Sequence, residues 1–380
     1  MDSKTYVVKD ICEIKSGKRL PAGRELSDDI TPFKYIRARD IKGGKILSDG
    51  IAYIDEETRT KIKKYIINTG DVAITIVANI GDIGYCDENM NDANLTENAV
   101  RLTNFDKTIV NSRYLAYYLS QPFMKQYMEG LAAGAAQAKL GIYKIEKMKI
   151  QLPSIEDQNR IVDIVEKYDV LIENISLRIR LLEETAKNIY KEWFVRMRFP
   201  GWKGCKIIDG VPEIWNVMKM KDVFEVCYGK DHKNVGEGNI PILGSGGIMR
   251  CGDRSLYKKE SVLIPRKGTL NNIMYMNEPF WTVDTMFYTK LLIENSAKYI
   301  YYTLSNIDME ALNSGAALPS MTTDILYQLK MIIPDAETLA AFDKIIDPYF
   351  VEIKKLTLEK ENLENQKLLL VPRLISGKAI

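Results

Sequence analysis

The sequence predicts an α+β protein made of two tandem α+β domains, each followed by a long helix, with the two helices packed as an antiparallel coiled coil. Three observations lead to this. The chain opens the same way twice: "VKDICEIKSGK" from Val8 returns as "MKDVFEVCYGK" from Met220, with Lys, Asp, Glu, Gly and Lys in one register. A second echo joins "LAAGAAQAKL" at Leu131 to "LNSGAALPSM" at Leu312, matching Gly134 to Gly315, and keeps its register through Leu182 and Leu363. The stretch from Ser154 to Phe194 contains neither Gly nor Pro and repeats apolar residues at helical spacing.

The offset between the copies is 212 at their starts and 181 at their ends, so the second copy is about thirty residues shorter and the loss falls in its middle. Such a period is too long for a solenoid, whose repeats run to roughly 20–50 residues. It fits a domain with an appendage. The expected organisation is a first domain over 1–153, a first helical spacer over 154–198, a linker over 199–211, a second domain over 212–334, and a second helical spacer with the C-terminal tail over 335–380.

Within each domain the elements alternate. "KYIRARDI" and "GDVAITIV" cluster β-branched residues as strands do, and "NIGDIGY" adds a turn and a further strand. "ESVLIPRKGTLNNIMYM" occupies the matching place in the second copy. "NSRYLAYYLSQPFMKQYM" has the 3-4 spacing of a helix. In the first spacer Ile172, Ile175, Ile179, Leu182, Ala186, Ile189 and Trp193 form one apolar seam, continued in the second copy by Ile353, Leu356, Leu363 and Leu370. Lys360 and Lys367 stand where the first copy has Ile179 and Ala186. Asp347-Pro348 suggests a restart, so a short helix, a break and a long helix are expected in both copies. A helix of about 25 residues would be roughly 38 Å long. The alternative is that the seams pair two chains as a dimeric coiled coil.

Composition bounds function. Hydrophobic residues make up 46%, the formal net charge is +2, and no apolar run is long enough to span a membrane. The region from Pro212 to Pro334 holds 13 basic and 13 acidic residues, so nucleic-acid binding would need local clustering of cations. Five dispersed cysteines, none at C-x-x-C spacing, with no apolar stretch near the N-terminus, point to reduced thiols and a cytoplasmic protein.

Catalytic constellations are missing. The one histidine, His232, lies in the polar loop "GKDHKNVGEG" and excludes duplicated His-based triads and His-rich metal sites. "NEPF" at Asn277 is similar to the adenine methyltransferase motif N-P-P-F/Y but has Glu at its second position. "VGEGN" and "LGSGG" lack the strand and helix context of a cofactor loop. The nuclease-like tripeptides Glu13-Ile14-Lys15 and Glu352-Ile353-Lys354 arise easily in a chain rich in Glu and Lys, and the second lies on the long helix.

Several segments resemble the specificity (S) subunit of type I restriction–modification enzymes. "TPFKYIRARDIKGGKI" resembles a stretch near the start of that family's target-recognition domains. "VPEIW" resembles the opening L-P-x-G-W of such a domain, with Ile214 in place of Gly. "LPSIEDQNRI" and "YKEWFVRMRFPGW" resemble the central conserved helix and its exit, and "VPRLISGKAI" the C-terminus. "IPDAETLAAF" lacks the usual E-Q pair at the second helix start.

The resemblance implies a non-catalytic reader of double-stranded DNA. Each domain would read one half of a split site, and the helices would act as spacer and docking platform. Two methyltransferase (M) subunits would bring S-adenosylmethionine, and restriction (R) subunits ATP and Mg; this chain itself would carry no cofactor and no metal. Loops rich in Arg, Lys, Asn and Gly are the candidate DNA contacts. These are Arg37, Arg39, Lys42 and Asn79 in the first copy, and Arg250, Arg266, Lys267, Thr269, Asn271 and Asn272 in the second. Trp193, Phe194 and Trp202 are candidates for a partner surface or for packing at the helix exit. The rival readings are a chain that methylates or cuts DNA by itself, and a protein-binding coiled-coil scaffold. S-adenosylmethionine binding by the purified chain would separate the first of these.

Overall fold

The β-branched runs of the two copies fold into the same four-strand core. In the computed structural model, which describes residues 2–133, 138–312 and 320–378, the chain divides into one unit of Met1–Asn174 with Lys360–Ile380 and another of Ile175–Glu359. In the first unit the strands Glu13–Ser16, Ala99–Thr103, Val72–Thr75 and Ile83–Tyr85 lie side by side in that order, followed by Gly44–Ile46 and Ile41–Lys42. In the second, Phe224–Tyr228, Met286–Leu291, Ser261–Pro265 and Met274–Met276 repeat the order. The register repeats as well: Val72 faces Tyr85, and Val262 faces Tyr275. The matched glycines Gly134 and Gly315 lie outside the described residues.

A second, smaller sheet accompanies each core. Lys34–Ile36 runs parallel to Ala93–Leu95 in the first unit, as Ile240–Gly244 runs parallel to Trp281–Thr282 in the second. The first copy adds helix Glu56–Ile62 and strand Ile66–Ile67 between them. Among the described residues the second copy has no counterpart to these two elements, which accounts for much of its shorter centre. An antiparallel ribbon closes each copy: Lys4–Val7 with Lys149–Leu152, and Asn216–Lys219 with Lys330–Ile333.

The spacers are continuous helices, Ile155–Tyr190 of 36 residues and Ala336–Ile375 of 40 residues, about 54 and 60 Å at 1.5 Å per residue. The expected break is therefore absent. Pro348 sits inside the second helix on an exposed face, where water can satisfy the carbonyl that loses its partner, while Phe342, Ile346 and Leu356 are buried on the other side. The helix starts differ. Ser154 Oγ accepts from Asp157 N–H at 3.1 Å, and the buried Gln158 bridges to Ile109 and Asn111. In the second copy Asp335 accepts from the N–H groups of Glu337 and Thr338, and buried Leu339 stands in Gln158's place.

Every seam residue expected from spacing is buried or half-buried. Within the second unit Arg178 pairs with Glu352 at 3.1 Å, and further along Trp193 meets Phe342 at 5.8 Å. Numbers rise on one helix as they fall on the other, so the pair is antiparallel and within one chain. Within the first unit Lys367 reaches buried Asp169 at 2.7 Å, which explains a lysine in the seam. Trp193 and Phe194 are core residues, packed on Phe342 and Tyr299, whereas Trp202 is exposed. No helix among the described residues is long and apolar enough to cross a membrane. Cysteines replacing Arg178 and Glu352 are expected to crosslink within single chains, giving a band of unchanged mass on denaturing gels; crosslinks only between chains would contradict the pairing.

Candidate nucleic-acid interface

In each copy three backbone segments converge on a short crossover that joins the two sheets. In the first the crossover is residues 96–98. Gly17 N–H donates to Ala99 O at 3.1 Å and Lys18 N–H to Leu95 O at 2.8 Å; Thr96 N–H donates to Ile36 O at 3.0 Å, and Ile76 N–H to Asn98 O at 2.8 Å. In the second it is residues 283–285. Gly229 N–H donates to Met286 O at 2.9 Å, Lys230 N–H to Thr282 O at 2.9 Å, Val283 N–H to Leu243 O at 3.0 Å, and Arg266 N–H to Thr285 O at 2.8 Å. The four bonds match one for one.

This explains the repeated Gly-Lys. A Cβ at Gly17 would lie 1.9 Å from Thr96 O, and one at Gly229 would lie 2.0 Å from Val283 O. Only glycine lets the chain pass the crossover so closely, and the lysine that follows is thereby held beside it.

Two turns flank the crossover. One follows the parallel strand and carries Arg37 and Arg39 in the first copy, and the Gly244-Ser245-Gly246 turn in the second. The other joins the hairpin strands and carries Asn79 in the first copy, and Lys267, Thr269 and Asn271 in the second. Each hairpin turn has a left-handed residue at the same place, Ala78 at φ 63° and Gly268 at φ 84°. Candidates drawn from unlike sequences thus fall on like positions.

Their side chains divide by what they touch. Arg39, Lys42, Asn79, Lys267 and Thr269 are exposed. Arg37 forms a fork on Asp40, with both bonds at 2.9 Å. Arg250 donates to His232 O at 2.6 Å, to Val235 O at 2.9 Å and to His232 Nδ1 at 3.3 Å, and so holds the 232–236 loop. Asn271 binds Asp308 and the Met309 N–H, and Asn272 binds Ser245 O at 2.8 Å. Arg266 lies over the Tyr228 ring. Lys42 stands on the outermost strand of its sheet, apart from the crossover. Spacing did not single out Lys233, Ser245 or Asp284, which line a cleft of about 480 Å³ beside the second crossover. The repeated Gly-Lys was the one signal that pointed there.

A buried charge cluster joins each hairpin to a long helix. In the first unit Arg113, from helix Ser112–Leu119, stacks on Tyr85 at 4.4 Å and meets Glu166 at 3.4 Å and Asp169 at 3.5 Å. Asp169 also accepts from Tyr117 Oη at 2.7 Å, from Lys367 at 2.7 Å and from Lys45 at 3.1 Å. Burial by itself would raise the Asp169 carboxyl; Lys367, Lys45 and Tyr117 outweigh it and hold it below the usual carboxylate range. In the second unit Lys298, from helix Ala297–Ser305, lies 5.6 Å from the Tyr275 ring centre and meets Asp343 at 2.8 Å, Asp347 at 3.1 Å and Glu260 at 3.6 Å. Burial disfavours its charge, yet the bonds to Asp343 and Asp347 prevail and raise it above the ordinary lysine value.

Two sheet-built modules with matching crossovers, each charge-locked to a long helix, define a duplicated, loop-presenting binding scaffold. The sequence profile of the family described as "Type I restriction modification DNA specificity domain" matches residues 1–184 and 212–368, so the chain belongs to that family. It is 22% identical over 405 residues to the type I restriction enzyme MjaIX specificity subunit of Methanocaldococcus jannaschii, covering 98% of this chain and 92% of that one. It is 25% identical over 382 residues to the MjaVIII specificity subunit of the same organism, covering 87% and 84%. The crystal structure of an S subunit from M. genitalium shares the fold, with a TM-score of 0.65 at 15% identity over 99% of this chain and 96% of that one.

Asp169→Asn is expected to destabilise the chain by about 3 kcal/mol, because it leaves the half-buried Lys367 without its carboxylate and Arg113 and Lys45 with only Glu166 and Glu173. Because the folded carboxyl is depressed below its unfolded value of about 3.9, its contribution is present at neutral pH and is lost only as pH falls below that value. Urea titrations should show a gap between wild type and variant that is constant from neutral pH to about 4.5 and closes below 3.9.

Proposed function

We propose that the chain is the non-catalytic, sequence-specific DNA-binding subunit of a type I restriction–modification complex, reading a bipartite site and docking methyltransferase subunits. The observation that carries this reading is the crossover, built by the same four backbone bonds in both copies while the side chains around it differ. A common frame with unlike surfaces is what two half-site readers need. Cations stand at each crossover, Lys18 in one copy and Lys230, Arg266 and Lys267 in the other, with Arg19 paired to Glu97 and Arg37 to Asp40, so a nearly neutral chain still offers local positive charge to phosphates.

In this reading the recognition domains span 1–153 and 212–334, with the linker at 199–211 and spacers at 154–198 and 335–380. Arg39, Lys42, Asn79, Lys267 and Thr269 meet the DNA directly. Arg37, Arg250, Arg266, Asn271 and Asn272 shape the loops and reach phosphate or base edges from them. Half-sites about one helical turn apart, roughly 34 Å, suit two readers on one DNA face.

Two methyltransferase subunits bring S-adenosylmethionine, and any restriction subunits bring ATP and Mg, in the cytoplasm. Support for two like partners comes from the outer faces of the helices. Val170 and Leu177 on the first are exposed, and Val351 and Leu358 repeat them in register on the second, exposed again. Apolar side chains recurring unburied at matched places fit two copies of one partner.

Lys267→Ala with Thr269→Ala, in the assembled enzyme, should relax or weaken one half of the methylated motif and leave the other half unchanged. Loss of a base contact costs about 1–3 kcal/mol at one position, whereas loss of a phosphate contact weakens all sequences alike and lowers the salt slope by about one. Methylation mapping on genomic DNA reads this; simultaneous loss of both halves would assign the loop to folding. Val351→Asp with Leu358→Asp should leave only one methyltransferase subunit bound per chain, measured by the mass of the purified complex.

A further inference from the structure

Arg113 and Lys298 occupy the same place in the two copies. Each is the second residue of its short helix. Each lies against the tyrosine that faces a valine across the hairpin, Tyr85 opposite Val72 or Tyr275 opposite Val262. Each pairs with the same rung of a long helix, Glu166 at 3.4 Å in one unit and Asp347 at 3.1 Å in the other. Around this shared place the chemistry is inverted. In the first unit one buried acid, Asp169, gathers Arg113, Lys45 and Lys367. In the second, one buried cation, Lys298, gathers Asp343, Asp347 and Glu260. A neighbouring rung repeats the inversion: Lys45 binds Glu173 at 2.7 Å, and Lys354, the counterpart of Glu173, binds Glu278 at 2.6 Å.

Burying such charges is costly unless they are paired, and apolar residues of similar volume would often hold the elements together as well. What charges and rings add is direction. A guanidinium stacked on a ring and aimed at two carboxylates tolerates little rotation. We propose that Arg113 and Lys298 are positioning residues that set the angle of each hairpin on its spacer helix, and through it the number of base pairs allowed between the two half-sites. This rests on the DNA-reading function proposed above. The lever is short: the hairpin turn lies on the order of 10 Å beyond the tyrosine at 3.3 Å per extended residue. A slack of about 20° then moves the turn by about 3.4 Å, the rise of one base pair.

The test uses the complete enzyme assembled with its methyltransferase partner, on DNA carrying the wild-type motif with the native spacer or with one base pair added or removed. Arg113→Met or Lys298→Met should reduce the preference for the native spacer roughly tenfold while both half-site sequences stay the same, since base contacts and spacing are separable contributions. Arg113→Lys and Lys298→Arg should restore most of the preference. Tyr85→Leu and Tyr275→Leu release the hairpins without stranding a buried charge, and should loosen spacing in the same way if the methionine variants fail to assemble. A structural role alone would lower melting temperature and total methylation without altering the ratio between spacers. An unchanged ratio in the Tyr→Leu variants, with a bipartite wild-type motif, overturns this inference alone. A wild-type enzyme with no bipartite motif overturns the function on which it rests.

Discussion

A charge taken out of water must find its opposite, and in this protein that requirement ties each sheet to its helix. Asp169 and Lys298 are both almost fully buried, and neither is tolerable there without the partners that reach it from separate elements. The Asp169 partners come from a strand of the core sheet, from a short helix and from the second long helix. Losing any one of these elements would weaken the neutralisation of a buried charge. The sheets, the short helices and the spacers are therefore held to one arrangement by electrostatics as well as by their apolar clusters.

With the frame set in this way, the surfaces are free to differ. The crossover bonds are made by backbone groups, which every sequence supplies, and the only side-chain demand is that Gly17 and Gly229 have none. The turns beside the crossover carry Arg, Asn and Ala in one copy and Lys, Gly and Thr in the other on a common backbone path. This separation of frame from surface is the physical form that a duplication takes when its two products are to bind unlike sequences.

Much of the fold was legible. The seam residues from Ile172 to Trp193 are buried because 3-4 spacing forces them onto one side of a helix, and that argument needs no partner. The repeat predicted two copies of one domain, and the four core strands recur in the same order, with further strands added in the first copy. The expected break at Asp347-Pro348 was misread, because local proline chemistry competes there with a buried face that continues on both sides and with water on the exposed side. The candidate site was legible only as loops. Exposed Arg39, Asn79, Lys267 and Thr269 look no different in sequence from Arg250 or Asn271, which donate to carbonyls and a carboxylate 14 to 37 residues away.

The sequence by itself determined the duplication, the seam of the helices, the want of histidine chemistry and the two glycines that mark the crossovers. These follow from periodicity and residue type, which are local properties. Tertiary structure decided which cations hold loops and which stand free of the surface, why Lys367 sits in an apolar seam, and that Asp169 and Lys298 answer one requirement with opposite signs. Those outcomes depend on which groups meet across long stretches of chain, and a buried charge reveals its meaning only beside the partner that neutralises it.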